Sequence, residues 1–409
     1  MRILILNPHG GIVGGTETYL RRLIPALRSL QHQVAFLYEY ESPESINIAL
    51  EGIQTWCVER LGLQESVEEA SGWQPDIIFA HGLPAEDLEE KILKLAPGVY
   101  FIHNYFGVCI SGIKAHRFPV IQPCHKRLGW PCLLHYLPRR CGGLNPLTMW
   151  SEYQKQLRRL SNFSRYNLLI THSEAMRREY LKHGLPEEKV HVVPMGLDPA
   201  TGAPNANLNR KAPSGMVNLL FVGRMEKPKG GMYLLEAVQK LPKLLQKPVR
   251  LTFAGDGRER HKWEEKARRI QARSQEIQVH FTGWIGRDRL ASLFSETDLL
   301  VVPSLWPEPF GLIGLEAAQY GVPAVAYDVG GVTAWLEDGV NGCLAPGDPP
   351  TPAGLVAAMY RALRDPDQYE RLRKGAVERT RRIRIEDHAR ALEALFARMQ
   401  SVPVNGRAV

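Results

Sequence analysis

The feature that most constrains this chain is a repeated alternation of short apolar runs with longer stretches of helical period. Residues 3–6, 34–38, 77–80, 99–102 and 168–171 make a first set of such runs, and 219–222, 250–254, 279–282, 299–303 and 324–326 make a second. Gly, Asp, His or Pro follows most of them. Runs of this length with no polar interruption suit strands covered on both faces, which means a parallel sheet under crossover helices. Two sets predict two doubly wound α/β domains, and a length of 409 residues suits two. The expected boundaries are 1–198, a Pro-, Asn- and Gly-rich linker at 199–215, 216–380, and a helical tail at 381–409 that packs back on the first domain.

Composition excludes several classes. Hydrophobic residues make up 44% and charged residues 23%, the balance of a soluble globular enzyme. No uninterrupted apolar run approaches the roughly 18 residues of a membrane span. The apolar start Ile3-Leu4-Ile5-Leu6 is ended by Asn7-Pro8-His9-Gly10, too early for a signal peptide, so it is expected to be a buried first strand in a cytoplasmic protein. The net charge of +8 is concentrated: residues 100–182 hold 13 Lys/Arg against Glu152, Glu174 and Glu179, a local +10. Such a surface attracts phosphates, and the expected partner is a lipid diphosphate or the inner face of an anionic membrane, not nucleic acid. A solvated helix face is the plainer alternative.

Residues 105–150 break the alternation and carry Cys109, Cys124, Cys132 and Cys141, four of the six cysteines. They are separated by 14, 7 and 8 residues, without the short pair typical of zinc sites. A structural zinc or an iron–sulfur cluster is one expectation, with His125 or His135 able to replace a thiolate. Free buried thiols and disulfides are the others.

Three strand ends carry chemistry. Gly10-Gly11-Ile12-Val13-Gly14-Gly15 links the first strand to a helix with apolar positions Leu20, Leu23, Ile24 and Leu27, and Thr16 is the expected cap. Glycines there let a phosphate approach the backbone and the helix N-terminus. The spacing is not that of a dinucleotide fingerprint, although Glu39 ends the second strand. Arg224 and Lys229 flank the turn after the run at 219–222 and make a diphosphate clamp. The strongest pattern is Pro303-Ser304-Leu305-Trp306-Pro307-Glu308-Pro309-Phe310-Gly311-Leu312-Ile313-Gly314-Leu315-Glu316. Its prolines hold Glu308 in a loop, Gly311 opens a helix, and Glu316 stands inside it with a carboxylate that ribose hydroxyls would satisfy. The backbone N–H groups of Phe310, Gly311 and Leu312 face the same ligand.

These motifs, in this order over residues 1 to about 350, resemble the retaining GT-B glycosyltransferases of family 4 (group 1). The resembling features include Gly14-Gly15, His103, Thr171-His172-Ser173-Glu174, Pro194-Met195-Gly196-Leu197-Asp198, Gly223-Arg224, Lys229-Gly230, Glu308, Glu316 and Gly330-Gly331. The resemblance implies two Rossmann-like domains with the active site in the cleft between them. It implies a hexosyltransferase-like enzyme that moves sugar from a nucleotide diphosphate donor to a sugar, lipid-linked or small-molecule acceptor. Arg224 and Lys229 would hold the diphosphate, Glu316 the ribose, Glu308 the sugar hydroxyls, and His103 would lie near the anomeric carbon. Asn104 replaces the Asp that often follows that histidine, and the cysteine segment is an addition to the acceptor domain. No catalytic divalent metal is expected, since the one Asp-x-Asp triplet, Asp365-Pro366-Asp367, lies in the helical tail. The competing readings are a sugar-nucleotide 2-epimerase of the same architecture, a non-catalytic nucleotide-sugar binding protein, and a nucleotide-dependent oxidoreductase.

Overall fold

A computed structural model describes residues 1–42, 48, 52–82, 85–198, 213 and 215–400. All of the linker expected at 199–215 except 213 and 215 lies outside the described residues. Two compact units form: Met1–Gly112 with Trp150–Asp198 and Ile383–Val409, and Ile113–Met149 with Pro199–Arg382.

The first unit is a seven-stranded parallel sheet. Its strands are β1 (Arg2–His9), β2 (Gln33–Tyr40), β3 (Gln54–Cys57), β4 (Ile77–Ala80), β5 (Gly98–Ile102), and, beyond the hairpin strands β6 (Ala115–His116) and β7 (Gln122–Pro123) of the second unit, β8 (Leu168–Thr171) and β9 (Val190–Val192). The order is β3-β2-β1-β4-β5-β8-β9, with Ile3 in register with both Val34 and Ile77. Ile3, Leu4, Ile5 and Leu6 are all fully buried, because helices cover both faces of a central parallel strand. On one face lies the helix Gly15–Ser29, which buries Leu20, Leu23, Ile24 and Leu27 as its period predicts.

The C-terminal helix Ile385–Gln400 packs on Gly15–Ser29 through a closed polar chain. His388 Nδ1 lies 2.7 Å from the Pro194 carbonyl, which can only accept, so Nδ1 carries the proton. Nε2 therefore accepts from the Tyr19 hydroxyl at 2.7 Å. Every polar atom of this buried pair has a partner, which offsets its desolvation. Gly196 allows the approach, since a Cβ there would run into the Arg384 and Ile385 backbone.

The second unit is a six-stranded parallel sheet of β10 (Val217–Val222), β11 (Val249–Ala254), β12 (Ile277–Gly283), β13 (Leu299–Val302), β14 (Ala324–Tyr327) and β15 (Gly342–Ala345), ordered β12-β11-β10-β13-β14-β15. Trp263 fills its core against Phe221 and Phe253. In both sheets the strand order reverses beside the first strand, between β1 and β4 and between β10 and β13. A crevice opens outside the carboxyl ends of strands at such a reversal, the usual ligand position of open α/β sheets.

The sequence places the cysteine-bearing segment in the first domain. Most of it, Ile113–Met149, instead groups with the second unit, where His125 Nε2 meets Asp348 Oδ2 at 2.7 Å. The segment also has more order than its sequence period suggests. It holds the β6–β7 hairpin, the helix Pro131–Tyr136 and the start of the helix Pro146–Asn162.

Candidate active site

In the second unit, the chain leaves β10 at Gly223-Arg224 and makes a short 3-10 turn at Lys227–Lys229. Gly230 follows with φ +73°, and a Cβ there would run into the Pro303 carbonyl at the end of β13. The N–H of Leu305 donates to the Pro228 carbonyl at 2.8 Å. This approach of two backbones, possible only with glycine at 230, carries the Lys229 side chain to the 304–308 loop.

There one carboxylate oxygen gathers three donors. Glu308 Oε1 lies 2.5 Å from Lys229 Nζ, 2.6 Å from Ser304 Oγ and 3.1 Å from Trp306 Nε1. The ammonium also stands 5.6 Å above the Trp306 ring centre, within cation–π range. The Glu308 carbonyl accepts from Gly331 N at 2.5 Å. Gly330, at φ +59°, permits that contact because a Cβ would strike the Glu308 backbone. Downstream, Trp335 Nε1 donates to the Phe310 carbonyl at 2.6 Å, fixing the loop just before Gly311 caps the helix Leu312–Ala318. Glu316 is the fifth residue of that helix, so it lies little more than one turn inside. It is half-buried between buried Leu315 and Ala317.

The sequence pairs Arg224 with Lys229 and assigns Glu308 separately. In the structure Lys229 and Glu308 are directly joined, while Arg224 is exposed at the end of β10 with Glu226 3.6 Å away. Sequence reasoning missed Ser304 and Trp306. The signal for them was their place in the loop after a buried strand, two and four residues before the glutamate.

In the first unit, Gly14 is the N-cap of Gly15–Ser29 and Thr16 is not. Glu17 takes the capping role: its Oε2 accepts from Gly14 N at 2.8 Å and its Oε1 from Asn7 Nδ2 at 3.1 Å. Gly14 and Gly15 are exposed, neither has a positive φ, and a Cβ at either would meet nothing closer than 3.6 Å. The fold therefore does not require glycine at 14 or 15. Glu39 serves structure: its Oε1 accepts from Ala85 N at 3.0 Å, at the start of the helix Glu86–Ile92, and burial raises its pKa.

The histidines after β4, β5 and β8 form a chain. His81 Nδ1 lies 2.7 Å from His103 Nε2, and His103 Nδ1 lies 3.1 Å from His172 Nε2. A neutral imidazole has one N–H, so His103 donates to one neighbour and accepts from the other, and the three rings share one direction. All three pKa values fall well below the ordinary histidine value. Burial is the main cause, and the neighbouring histidines, including His388, add to it. His103 alone of the three is half-exposed. Sequence reasoning found His103 but gave no role to His81 or His172.

The four-cysteine metal centre is not assembled. Cys109 belongs to the first unit, and Cys124, Cys132 and Cys141 to the second. Cys109 Sγ is near Ser111 Oγ at 3.6 Å, Cys132 Sγ near the Arg127 carbonyl at 3.6 Å, and Cys141 Sγ near His116 Nδ1 at 3.7 Å. All six cysteines are thiols, and among the described residues no group of three His, Cys, Asp or Glu is placed to hold a metal. Asp365, of the Asp-x-Asp triplet, caps the helix Pro366–Arg381 by accepting from Asp367 N and Gln368 N.

Known proteins share both halves. Residues 13–201 match the family model Glycosyltransferase Family 4, and residues 209–379 match Glycosyl transferases group 1. The chain belongs to the group 1, family 4 glycosyltransferases. An uncharacterised glycosyltransferase of Methanocaldococcus jannaschii is 28% identical over 87% of this chain and 86% of its own. The fold is GT-B: the structure of Anabaena HepE in complex with UDP and glucose superposes with TM-score 0.68 at 20% identity, covering 98% of this chain and all of that one. Sucrose-phosphate synthase of Thermosynechococcus elongatus gives 0.69 at 20% identity, over 98% and 99%. This glycosyltransferase is thus a hexosyltransferase enzyme.

Proposed function

We propose that this glycosyltransferase takes its sugar from a nucleotide diphosphate donor held by the second unit and transfers it with retention at the anomeric carbon. The observation that carries this reading is the Lys229–Glu308 pair, set at the strand-order reversal with Ser304 and Trp306 around it. Lys229 and Arg224 bind the diphosphate, Glu308 and the backbone of Phe310, Gly311 and Leu312 orient the sugar, and Glu316 takes the ribose hydroxyls. Gly14 and Gly15 suit this reading, since the exposed helix N-terminus they open admits an anion. UDP and glucose in the HepE structure support a donor of this class. In the reaction the bond from the anomeric carbon to the leaving phosphate oxygen breaks as positive charge develops on the sugar. The acceptor oxygen bonds to that carbon from the same face, and its proton passes to the departing phosphate. The protein supplies position and charge stabilisation, and His103 stands near the reacting carbon.

The basic stretch 100–182 supports an acceptor that is anionic or carried by a membrane, such as a lipid diphosphate, met at the cytoplasmic face. Among the described residues no helix is long and apolar enough to cross a membrane, so such contact would be peripheral. A thermal-shift screen with nucleoside diphosphates and their sugars tests the donor. Stabilisation by one nucleoside diphosphate and its sugars is expected, and none from any of them would refute the reading. Proton NMR of the first-formed product, compared with the donor anomer, tests retention.

A further inference from the structure

The inserted segment of the second unit, which itself contains no Asp or Glu, presents apolar side chains to solvent. Trp130, Leu134 and Leu137 lie at i, i+4 and i+7 along the helix Pro131–Tyr136 and its flanks, which puts them on one side. Trp130 is 68% exposed and Leu134 63%, while Tyr136 of the same helix is buried. The β6–β7 hairpin lifts a second apolar group, Phe118 and Val120, at its exposed tip. The two groups adjoin: Leu137 precedes Arg139 by two residues, and the Arg139 carbonyl accepts from the N–H groups of Arg117 and Phe118 at 2.9 and 3.1 Å. Arg140 lies over the Phe118 ring at 4.7 Å.

The segment's own Lys, Arg, Asp and Glu content has one sign. Ile113–Met149 contains six Lys/Arg and neither Asp nor Glu. Arg117, Lys126, Arg127 and Arg140 are exposed, while Lys114 is buried and donates to the Lys126 carbonyl. Asp348 meets this segment at His125, in an exposed ion pair. A monomeric soluble surface rarely leaves Trp and Leu this exposed together without an occupant. An acidic protein partner would match the cations, but it would not by itself explain aromatic and aliphatic groups projecting from both a helix and a hairpin tip. An anionic bilayer matches both features: apolar side chains enter the headgroup boundary while Arg and Lys meet lipid phosphates.

We propose that this segment is a membrane-docking surface. Trp130, Leu134 and Phe118 insert into the interfacial region of an anionic bilayer, with Arg117, Arg127 and Arg140 on its headgroups. It deepens the membrane-borne acceptor reading and rests on it for its purpose, but vesicle binding without donor or acceptor tests the surface alone. The experiment is co-sedimentation of the full chain with vesicles of phosphatidylglycerol and phosphatidylcholine in equal parts, and with phosphatidylcholine alone, at low and high salt.

Binding to the anionic vesicles alone, weakened by salt, is expected. The pair Arg117→Gln and Arg127→Gln should lower affinity about fivefold for each cation removed. Trp130→Ser with Leu134→Ser should lower it at least tenfold and leave the thermal midpoint unchanged, since both side chains are exposed. Loss of binding in the arginine variants with none in the Trp130/Leu134 variant would mean electrostatic adsorption and overturn the inserted face. Equal binding to neutral vesicles, or none to anionic vesicles at low salt, would overturn the surface altogether. If vesicles bind as expected but lipid-linked acceptors are not glycosylated in detergent, the acceptor reading fails and the surface stands.

Discussion

Replacing Lys229 by Met and Glu308 by Gln separates binding from chemistry at the heart of the proposed donor site. The two side chains neutralise each other at 2.5 Å, with 25% of the lysine side chain and 7% of the glutamate side chain exposed. Lys229→Met removes a charge-assisted contact to the donor diphosphate, worth about 1.5–3 kcal/mol. That is roughly a 10- to 150-fold loss of nucleoside diphosphate affinity. Glu308→Gln acts differently. Its amide oxygen still accepts from Ser304 and Trp306, so the loop keeps its shape, and Lys229 is released toward the diphosphate. Nucleoside diphosphate affinity should hold or rise, while turnover falls by orders of magnitude because the contact to the sugar is lost. Stability should show the opposite asymmetry. Lys229→Met strands a buried carboxylate on two neutral donors, whereas Glu308→Gln leaves an ammonium that reaches water, so the lysine variant should lose more. Calorimetric titration with the nucleoside diphosphate, initial rates with its sugar, and urea unfolding of both variants measure all three quantities. If Glu308→Gln weakens nucleoside diphosphate binding as much as Lys229→Met, Glu308 does not act on the sugar and the division of roles is wrong.

The remaining predictions concern the first unit and the glycine contact. The His388 pKa is pushed down to about 4 by burial, against 6.5 in the unfolded chain, so its stabilising effect is complete above pH 6.5 and is lost as pH falls toward 4. This one group should remove roughly 3 kcal/mol across that window, and His388→Gln should flatten that part of a urea-midpoint titration against pH. Arg159→Met should destabilise by about 3–5 kcal/mol in urea unfolding, since Glu89, which Arg159 grips through both carboxylate oxygens at 2.8 Å, would stay buried without its cation, beside the Tyr166 hydroxyl. Gly230→Ala should cost about 1–3 kcal/mol from the positive φ alone and should weaken donor binding by displacing Lys229. His103→Ala should lower turnover by orders of magnitude and spare nucleoside diphosphate affinity, and wild-type turnover would remove His103 from the reaction.

Much of the fold was legible because central parallel strands are buried on both faces and read as unbroken apolar runs. β1, β4, β8, β10 and β13 stand out in this way. The strands that escaped notice are short and lie at or toward sheet edges. β3 begins with exposed Gln54 and Thr55, β9 has three residues, and β15 carries Gly342 and Cys343, so none gives a continuous apolar signal. Strand order is invisible in the chain itself, yet it is the order that places the ends of β10 and β13 side by side and so joins Lys229 to a glutamate 79 residues away. The cysteines misled for a related reason. Nearness in sequence suggested one cluster, but among the described residues no group of three His, Cys, Asp or Glu is placed to hold a metal.

The three-histidine chain bears on the role proposed for His103. The resemblance singles out His103 as a lone group near the anomeric carbon. In the structure both its ring nitrogens are engaged, one by His81 and one by His172. A sugar hydroxyl can therefore bond in the plane of the His103 ring only by displacing one of these neighbours or sharing its nitrogen. The neighbours also bear on its charge, because burial and the adjacent histidines hold all three pKa values well below the ordinary histidine value. Neutrality is thus a property of the trio, and a neutral His103 can orient or accept but brings no positive charge to oppose the oxocarbenium-like sugar. A protonated ring in its place would repel the charge that develops at the anomeric carbon. In the proposed reaction, buried His81 and His172 therefore act through half-exposed His103, by holding its ring neutral and its nitrogens engaged.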